Sequence, residues 1–364
     1  MGRGVAPDPR PAQEGLEFPE TERYDVAEPH RRTTIRDVAA RAGVSPGTVS
    51  KALNGTGQIS TETRQRILAA AAETGFKPNE LARSVFERRS YTVGMITTDS
   101  FERFSVPVML GAEDALGAGR ISVFLCDSRD DPIREKHYID VLQGRRVDGF
   151  IVTGRSSNVR QPLNVEPGTP VVYALTPSAD PADCSIVVDD AAAGRIAGEH
   201  FLRMGRTRIA HVTGPEHFDA ARERAGGLLD ALTDAGAALV APTFYGGWGE
   251  EWGRQAGQML LRAHPEVDAI YCGSDLVARG VGDSMRELGR HVPRDVALIG
   301  TDNWEIVATG ARPPLTTVDT GLSEVGRIAA ERLLDAIAGR PHSGVERVAP
   351  HLVIRGSTDA TGAV

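Results

Sequence analysis

Several features that would assign a protein to a particular class are scarce or missing in this chain of 364 residues. Its three cysteines are far apart and lack a zinc-binding spacing, so we predict no disulfide framework, no metal site and a reduced, cytoplasmic compartment. No run of 18 apolar residues occurs, so no membrane span is predicted. Residues 1–30 lack the apolar core of a secretory signal and are rich in Pro, Glu and Arg, and we expect residues 1–32 to form a disordered tail.

Motifs of common enzyme classes are also missing. The sequence has no phosphate-binding GxxxxGKS/T loop, no dinucleotide-binding GxGxxG after a first strand, no GxSxG nucleophile elbow between a strand and a helix, and no HExxH motif. The nine histidines are scattered, and His211 lies in an apolar run where a core position is its simplest interpretation. We therefore predict no catalytic residue, no cofactor and no enzyme activity.

The segment 33–54 is the most informative, because it indicates two short helices around a tight turn. Thr34 caps the first helix, and Asp37 has the spacing that completes a capping box. The apolar residues of this helix share one face: Ile35, Val38, Ala39 and Ala42. Gly43 then ends the helix.

A second helix is predicted directly after the turn, since Ser45 is a good cap and Pro46 suits the first helical position. Its inward face is apolar: Val49, Ala52 and Leu53. Its open face carries small polar residues and a cation: Thr48, Ser50 and Lys51. A helix of this kind after a short turn fits the DNA major groove, although an ordinary helical hairpin shows the same pattern.

The charges are sorted along the chain, which has a net charge of −8. Residues 31–90 hold eleven Lys and Arg against five Asp and Glu, whereas residues 1–30 hold three against seven, so the remainder is strongly acidic. A basic segment attached to an acidic body favours a single face for docking on phosphates.

A third helix is predicted from Ser60 to about Thr74, with an apolar face that consists of Ile59, Ile67, Leu68 and Ala71. In this order, TIRDVAARAGVSPGTVSKALN, STETRQRI and GFKPNELARSV resemble the headpiece and hinge of the LacI/GalR family of bacterial transcription regulators. The resemblance extends from Thr33 nearly to the end of the chain. It implies a helix-turn-helix DNA-binding domain at 33–77, a hinge helix and linker at 78–90, and an effector-binding and dimerisation domain at 91–364.

The body of the chain alternates short apolar runs with amphipathic helical segments. The runs are 93–96, 121–126, 149–152, 171–174, 186–188, 209–212, 269–272 and 296–300, and the helical segments lie near 106–118, 132–143, 190–204, 220–235, 250–263, 276–289 and 321–338. This alternation predicts parallel sheets covered by helices. The strands are too many for one sheet, so we predict two Rossmann-like lobes. The resemblance implies the same fold, like that of a periplasmic sugar-binding protein, with the ligand in the cleft between the lobes.

The resemblance also implies which headpiece residues read DNA. The family's main base-reading positions fall on Pro46, Gly47 and Lys51. Pro46 and Gly47 offer no side-chain hydrogen bond to a base edge, so Lys51 is expected to be the strongest single reader. The expected phosphate or backbone anchors are Thr34, Ser45, Thr48, Ser50, Asn54 and Gln58, and Gln58 is also a candidate base contact.

In the hinge, relatives place leucine where this chain has Val85, and that leucine wedges into the central minor-groove step. Valine is shorter, so we expect Val85, with support from Phe86, to bend the DNA less and to need a softer base step. Ala82 and Arg83 are expected in or beside the same groove. A lone hinge helix is marginal, so its order should depend on DNA and on a partner subunit, which implies a dimer and a near-palindromic operator.

For the effector, the resemblance points to Arg224, preceded by Arg222, and to Asp302 at the end of a strand. An arginine and an aspartate in one cleft favour a polar, hydroxyl-bearing ligand, although a surface salt bridge is the alternative for Arg224. Trp248 matches an aromatic residue that packs on sugar rings, with a core position as its alternative. Phe104 and Ser105 lie in the first loop, where relatives carry paired aromatics.

Two positions depart from sugar-binding relatives. Ser274 stands where these often have asparagine, and Leu175 stands where many have an aspartate. Both changes reduce the number of hydroxyl partners, so a simple hexose is less well supported as the effector.

Together these patterns predict a dimeric or tetrameric transcriptional regulator that acts as a repressor. A sugar-like effector is expected to change the angle between the lobes and thereby the affinity for the operator. The sequence leaves open whether the effector is an inducer or a corepressor. One alternative is a solute-binding transport protein, which would need an export signal and no headpiece. Another is an enzyme acting on a sugar or nucleoside in the same cleft, for which no base–nucleophile pair is present.

Overall fold

A computed structural model describes residues 33–53, 57–76, 89–100, 103–117 and 121–359. The chain divides into two compact units, Met1–Arg83 and Ser84–Val364, which we call the headpiece and the core. The predicted tail and most of the predicted hinge lie outside the described residues. The same holds for the predicted DNA-binding residues Asn54, Ala82, Arg83 and Val85.

The headpiece has the three predicted helices, α1 (Ile35–Ala42), α2 (Pro46–Leu53) and α3 (Thr61–Glu73). Side chains cap all three, which explains their starting points. The Asp37 carboxylate accepts hydrogen bonds from the N–H of Thr34 at 2.8 Å and from its hydroxyl at 2.7 Å. Ser45 Oγ accepts from the N–H of Thr48 at 3.1 Å, and Ser60 Oγ starts α3 in the same way.

The three helices share one small apolar core. Val38, Val49 and Ile67 are its fully buried centre, and small alanines let the helices approach closely. One sequence expectation was wrong, because Leu68 is 50% exposed and Ala70 is buried instead. Residue 70 lies three positions after Ile67, on the face that α1 and α2 cover, whereas residue 68 turns away from it.

The first lobe of the core is a six-stranded sheet in the order β2-β1-β3-β4-β5-β11, parallel throughout. Its strands are β1 (Thr92–Thr97), β2 (Ser122–Asp127), β3 (Gly149–Val152), β4 (Val171–Ala174), β5 (Cys184–Val188) and β11 (Gly344–Val348). Its helices are α4 (Ser105–Ala115), α5 (Pro132–Gly144) and α11 (Leu322–Ile337). Every residue of β3 and β5 is buried, as expected for parallel strands covered on both faces of the sheet.

The second lobe has the sheet order β7-β6-β8-β9-β10-β12, in which only β12 is antiparallel to its neighbour. Its strands are β6 (Ile209–Thr213), β7 (Phe244–Tyr245), β8 (Ala269–Cys272), β9 (Ala297–Thr301), β10 (Thr316–Asp319) and β12 (His351–Val353). Its helices are α6 (Asp190–Arg203), α7 (Asp219–Asp234), α8 (Glu250–Ala263), α9 (Asp275–Glu287) and α10 (Glu305–Gly310).

The prediction of two Rossmann-like lobes is thus confirmed. The chain crosses between the lobes after β5, after β10 and after β11. The loops at the carboxyl ends of the parallel strands meet between the lobes, which is where ligands bind in open α/β sheets. No helix in the described ranges is long and apolar enough to cross a membrane.

Candidate functional site

The headpiece presents the outer surface of α2 to solvent. Ser45, Pro46, Gly47 and Lys51 are exposed, whereas the neighbouring Val49 is fully buried. The first turn of α2 therefore offers a short side-chain profile, with the flexible cation of Lys51 one turn further on. This profile allows the backbone at the helix start to approach a groove closely.

The remaining described headpiece candidates also lie at the surface. Thr34 and Gln58 are exposed, and Thr48 and Ser50 are half-buried. The Thr48 and Ser45 hydroxyls are 2.9 Å apart, so capping and phosphate binding would draw on the same groups. Their roles toward DNA stay predictions.

In the core, Arg224 of α7 is buried and bound by carboxylates. Its Nε donates to Asp190 Oδ1 at 2.8 Å, and its Nη1 donates to the carbonyl of Gly273 at 2.6 Å. The Oδ1 atom of Asp302 lies 3.8 Å from Nη1. Burial disfavours the charged guanidinium, but Asp190 and Asp302 outweigh it and raise the pKa of Arg224. The alternative of a surface salt bridge is therefore wrong, since Asp190 is only 2% exposed.

Helix packing sets the position of Arg224. A Cβ atom at Gly227 of α7 would lie 1.8 Å from the carbonyl oxygen of Ala191 in α6, and one at Gly194 would lie 1.9 Å from the carbonyl oxygen of Arg224. Only glycine permits this approach of α6 and α7. The close crossing brings Asp190, the first residue of α6, against the Arg224 side chain.

Asp302 follows β9 in a left-handed conformation with φ of 100°, and Asn303 follows with φ of 49°. The N–H of Asp302 is held by the carbonyl of Val318 at 2.8 Å. Left-handed backbone is costly for side-chain-bearing residues and is concentrated at functional sites. Burial raises the pKa of Asp302, although Arg103 and Arg224 act in the opposite direction.

Arg103, which the sequence analysis missed, reaches Asp302 from the other lobe. Its Nη2 forms an ion pair with Asp302 Oδ2, and its side chain is 13% exposed. The guanidinium carbon lies over the ring of Phe104 at 4.9 Å and over the ring of Trp304 at 5.1 Å. Asp302 therefore connects two arginines, one from each lobe. The signal available in the sequence was an arginine beside Phe104 in the first loop.

The first loop is fixed from within by Asp99. Its carboxylate accepts hydrogen bonds from the N–H groups of Phe104 at 2.7 Å and Ser105 at 3.0 Å, and from the Ser105 hydroxyl at 3.3 Å. Ser105 is fully buried and serves this loop. Phe104 is half-buried below Arg103.

Trp248 is half-buried, which is intermediate between the predicted ring-packing role and its core alternative. Its indole packs on Gly214, where a Cβ atom would come within 2.2 Å, and the ring of Phe218 meets it edge-on at 5.7 Å. The Ser274 hydroxyl accepts from the N–H of Val277 at 3.2 Å and donates to the Trp248 carbonyl at 3.3 Å. Ser274 is thus occupied as the cap of α9.

Arg222 and Leu175, which the sequence analysis also discussed, lie away from the buried Arg224–Asp190 pair. Arg222 is exposed, and its guanidinium contacts Asp219 and the carbonyl of Glu216 at 2.7 Å, so the structure does not bring it to the buried pair. Leu175 has φ of 74° and is buried in the first lobe. The roles toward an effector of all the predicted residues stay predictions: Phe104, Ser105, Arg222, Arg224, Trp248, Ser274 and Asp302.

Asn158 forms a second contact between the lobes that the sequence did not reveal. Its Oδ1 accepts from the N–H of Asp219 at 2.9 Å, and its Nδ2 donates to the carbonyl of His217 at 3.4 Å. Asn158 lies in the loop after β3, and Asp219 is the first residue of α7. An amide from one lobe therefore completes the start of a helix in the other.

Behind the cleft, Asp275 is fully buried and organises the loop after β9. It accepts hydrogen bonds from Thr317 Oγ1 at 2.6 Å and from the N–H of Trp304 at 2.7 Å. Burial and the nearby charge of Asp302 raise the pKa of Asp275 to about 7. His211 is the core residue that was predicted, stacked on Tyr271 at 4.8 Å, and burial lowers its pKa to about 4.

A cavity of about 560 Å³ opens beside the Arg103–Asp302 pair, lined also by Trp304, Asp319 and His351. Carboxylates, a ring face and arginine donors at one place suit a ligand with hydroxyl groups and a weakly apolar face. Among the described residues, no group of three His, Cys, Asp or Glu side chains could hold a metal ion.

Comparisons with known proteins agree with this geometry. Residues 34–79 match the family described as bacterial regulatory proteins, lacI family, and residues 199–358 match a periplasmic binding protein-like domain. The HTH-type transcriptional regulator CelR of Thermobifida fusca is 34% identical over 91% of this chain and 99% of its own length. A CelR–cellobiose complex is 31% identical with a TM-score of 0.63, covering 90% of this chain and 100% of the other.

The lac repressor dimer bound to operator and the anti-inducer ONPF is 26% identical with a TM-score of 0.67, covering 90% of this chain and 99% of the other. The headpiece and the core are thus both matched, in their chain order, by DNA-binding transcriptional regulators that are not enzymes. The chain belongs to the lacI family of bacterial regulatory proteins.

Proposed function

We propose that this protein represses transcription as a homodimer or homotetramer bound to a near-palindromic operator, under control of a saccharide-like effector held between the lobes. The proposal rests on the presence of two distinct candidate binding sites in one chain. It combines a capped helix with an exposed polar face in the headpiece and a buried arginine–carboxylate cluster at the core's strand ends. A DNA-bound regulator acts where DNA is, so we propose a cytoplasmic location.

On the DNA side, α2 enters the major groove with its capped end first. Lys51 donates to guanine, while Pro46 and Gly47 allow close approach. The polar groups around the turn hold phosphates and fix the register. Two headpieces related by the dimer axis read two half-sites, which explains the expected symmetry of the operator.

On the effector side, the cluster around Arg224 and Asp302 provides fixed hydrogen-bond donors and acceptors. Trp248 is half-buried, and its indole is the aromatic group on which a pyranose would pack. Two relatives support the choice of ligand class, since one solved structure holds cellobiose and another holds ONPF. Because Ser274 is occupied as a helix cap and Leu175 is buried, we propose a glycoside larger than a free hexose.

The test of the effector proposal is a thermal-shift screen of the full chain against cellobiose, other disaccharides, hexoses, sugar phosphates and nucleosides. A ligand that binds only the folded state raises the melting temperature, and the increase grows with the ratio of the free ligand concentration to Kd. Arg224→Ala should abolish the shift, whereas Arg254→Ala, which removes an exposed arginine of α8 paired with Glu287, should keep it. A full shift with Arg224→Ala would place the effector elsewhere.

The hinge prediction has a separate test on operator DNA. Val85→Ala should reduce the bend at the central base step, because a shorter side chain unstacks it less. An unchanged bend would remove Val85 from this role.

A further inference from the structure

The two contacts that Arg103 and Asn158 make across the cleft are not accounted for by DNA binding or by effector binding alone. We propose that they form an interlobe clasp, and that Arg103 and the effector compete for the carboxylate of Asp302. Effector entry and opening of the Arg103 contact would then be one event. The effector part of this inference rests on the proposed function, whereas the clasp itself does not.

The position of Arg103 supports this role. Asp302 presents two carboxylate oxygens, of which one faces Arg224 at 3.8 Å and the other is taken by Arg103. The ring of Trp304, two residues after Asp302, is covered by the same guanidinium. A hydroxyl-bearing ligand that used Asp302 and this ring would therefore need the volume that Arg103 fills.

The contact is also suited to be exchanged. Arg103 Nε is buried and has no hydrogen-bond partner among the described residues. A buried ion pair stabilises strongly only when its remaining donors are satisfied, and this one leaves a donor unpaired. Displacing Arg103 with ligand hydroxyls therefore costs less free energy than breaking the Arg224–Asp190 pair. Arg224 also donates to the carbonyl of Gly273, so its position is held by two partners.

Asn158 supplies the other arm of the clasp. It links the loop after β3 to the start of α7, the helix that carries Arg224. Arg103 links the loop before α4 to the residue after β9. The two arms therefore join different pairs of loops, and both must open before the lobes can separate.

The clasp is tested on the full chain without added ligand. Double electron–electron resonance measures the distance between one spin label in each lobe. Spin labels on Ile133→Cys in α5 and Glu251→Cys in α8 report the separation, since both positions are exposed. Cys126→Ser removes the cysteine that is not buried. The labelled parent should show one compact distance distribution.

In this background, Arg103→Gln together with Asn158→Ala should add a population at longer distance, and Arg103→Gln alone should add a smaller one. The matched control is Arg155→Gln, which removes an exposed first-lobe arginine paired with Asp130 at 3.4 Å and should leave the distribution unchanged. A double variant with the parent's distribution would overturn the clasp.

The competition is tested with cellobiose as the probe, by calorimetry on the unlabelled chain. Arg103→Gln should bind cellobiose roughly tenfold more tightly than the parent, since the internal competitor is gone, and Arg155→Gln should bind like the parent. Weaker binding by Arg103→Gln would overturn the competition and make Arg103 a ligand contact. If cellobiose binds neither protein, this sugar fails as effector, and the ligand-free distances still decide whether the clasp exists.

Discussion

Two neighbouring glycines of α7 provide a sharp test of how packing positions Arg224, a proposed effector residue. A methyl group at Gly227 would lie 1.8 Å from the carbonyl oxygen of Ala191, whereas a methyl group at Gly226 would meet nothing within 4 Å. A Cβ atom essentially never lies within 3.0 Å of another heavy atom, so Gly227→Ala must push α7 and α6 apart by about 1 Å or more. Gly226→Ala needs no such movement.

The expected effects on the free energy of unfolding have opposite signs. Alanine is the better helix former by about 0.8–1.0 kcal/mol, so Gly226→Ala should stabilise the second lobe by up to that amount. Gly227→Ala gains the same helix propensity, but overpacking typically costs about 1–3 kcal/mol or more. A clash with backbone should cost an amount near the top of that range, so this substitution should destabilise the lobe. The displacement also pulls Arg224 from Asp190, which should weaken effector binding.

The assay is urea unfolding followed by tryptophan fluorescence. All three tryptophans, Trp248, Trp252 and Trp304, lie in the second lobe, so the signal reports the part of the molecule that the substitutions change. The midpoint should rise for Gly226→Ala and fall for Gly227→Ala. Equal midpoints for the two variants would refute the packing argument.

Three further predictions address the headpiece and the cleft. Lys51→Ala should weaken binding to the preferred operator by about 5- to 150-fold and to unrelated DNA far less, and equal losses in a gel-shift assay would reassign Lys51 to phosphate contacts. Because the pKa of Asp275 is raised in the folded state from 3.8 to about 7, its stabilising contribution is complete below about pH 4 and is lost as the pH rises through 7. Asp275→Asn should therefore flatten the fall of stability between those pH values, and an unchanged slope in urea titrations would contradict this. Ser60→Ala should destabilise the headpiece by about 1 kcal/mol through loss of the cap on Thr63, and an unchanged melting curve would contradict it.

Local signals explain why the headpiece and most strands could be predicted from the sequence. The caps at Thr34, Ser45 and Ser60 act within three residues, so sequence spacing determines them. The fully buried strands of parallel sheets are continuous apolar runs, as at 149–152 and 269–272, and are equally visible. The exposure of Leu68 could not be predicted in this way, because it depends on where the other helices pack.

The arrangement of the cleft depends on long-range contacts that leave no local pattern. Arg103 and Asp302 are separated by 199 positions, and Asn158 and Asp219 by 61. The resemblance to a known family supplied Arg224 and Asp302, but it did not supply Asp190, which is 34 positions from Arg224 and opens another helix. The short strands β7, β10, β11 and β12 were missed because their sequences lack long apolar runs and their pairing depends on chain crossings.

The central claim is that the headpiece binds specific double-stranded sites under control of the core. It is tested most directly by affinity selection of fragmented genomic DNA from the source organism with the purified full chain at low ionic strength. We predict enrichment of fragments that share a near-palindromic motif, with binding that weakens steeply as salt rises. Recovery of no enriched sequence under these conditions would contradict the account.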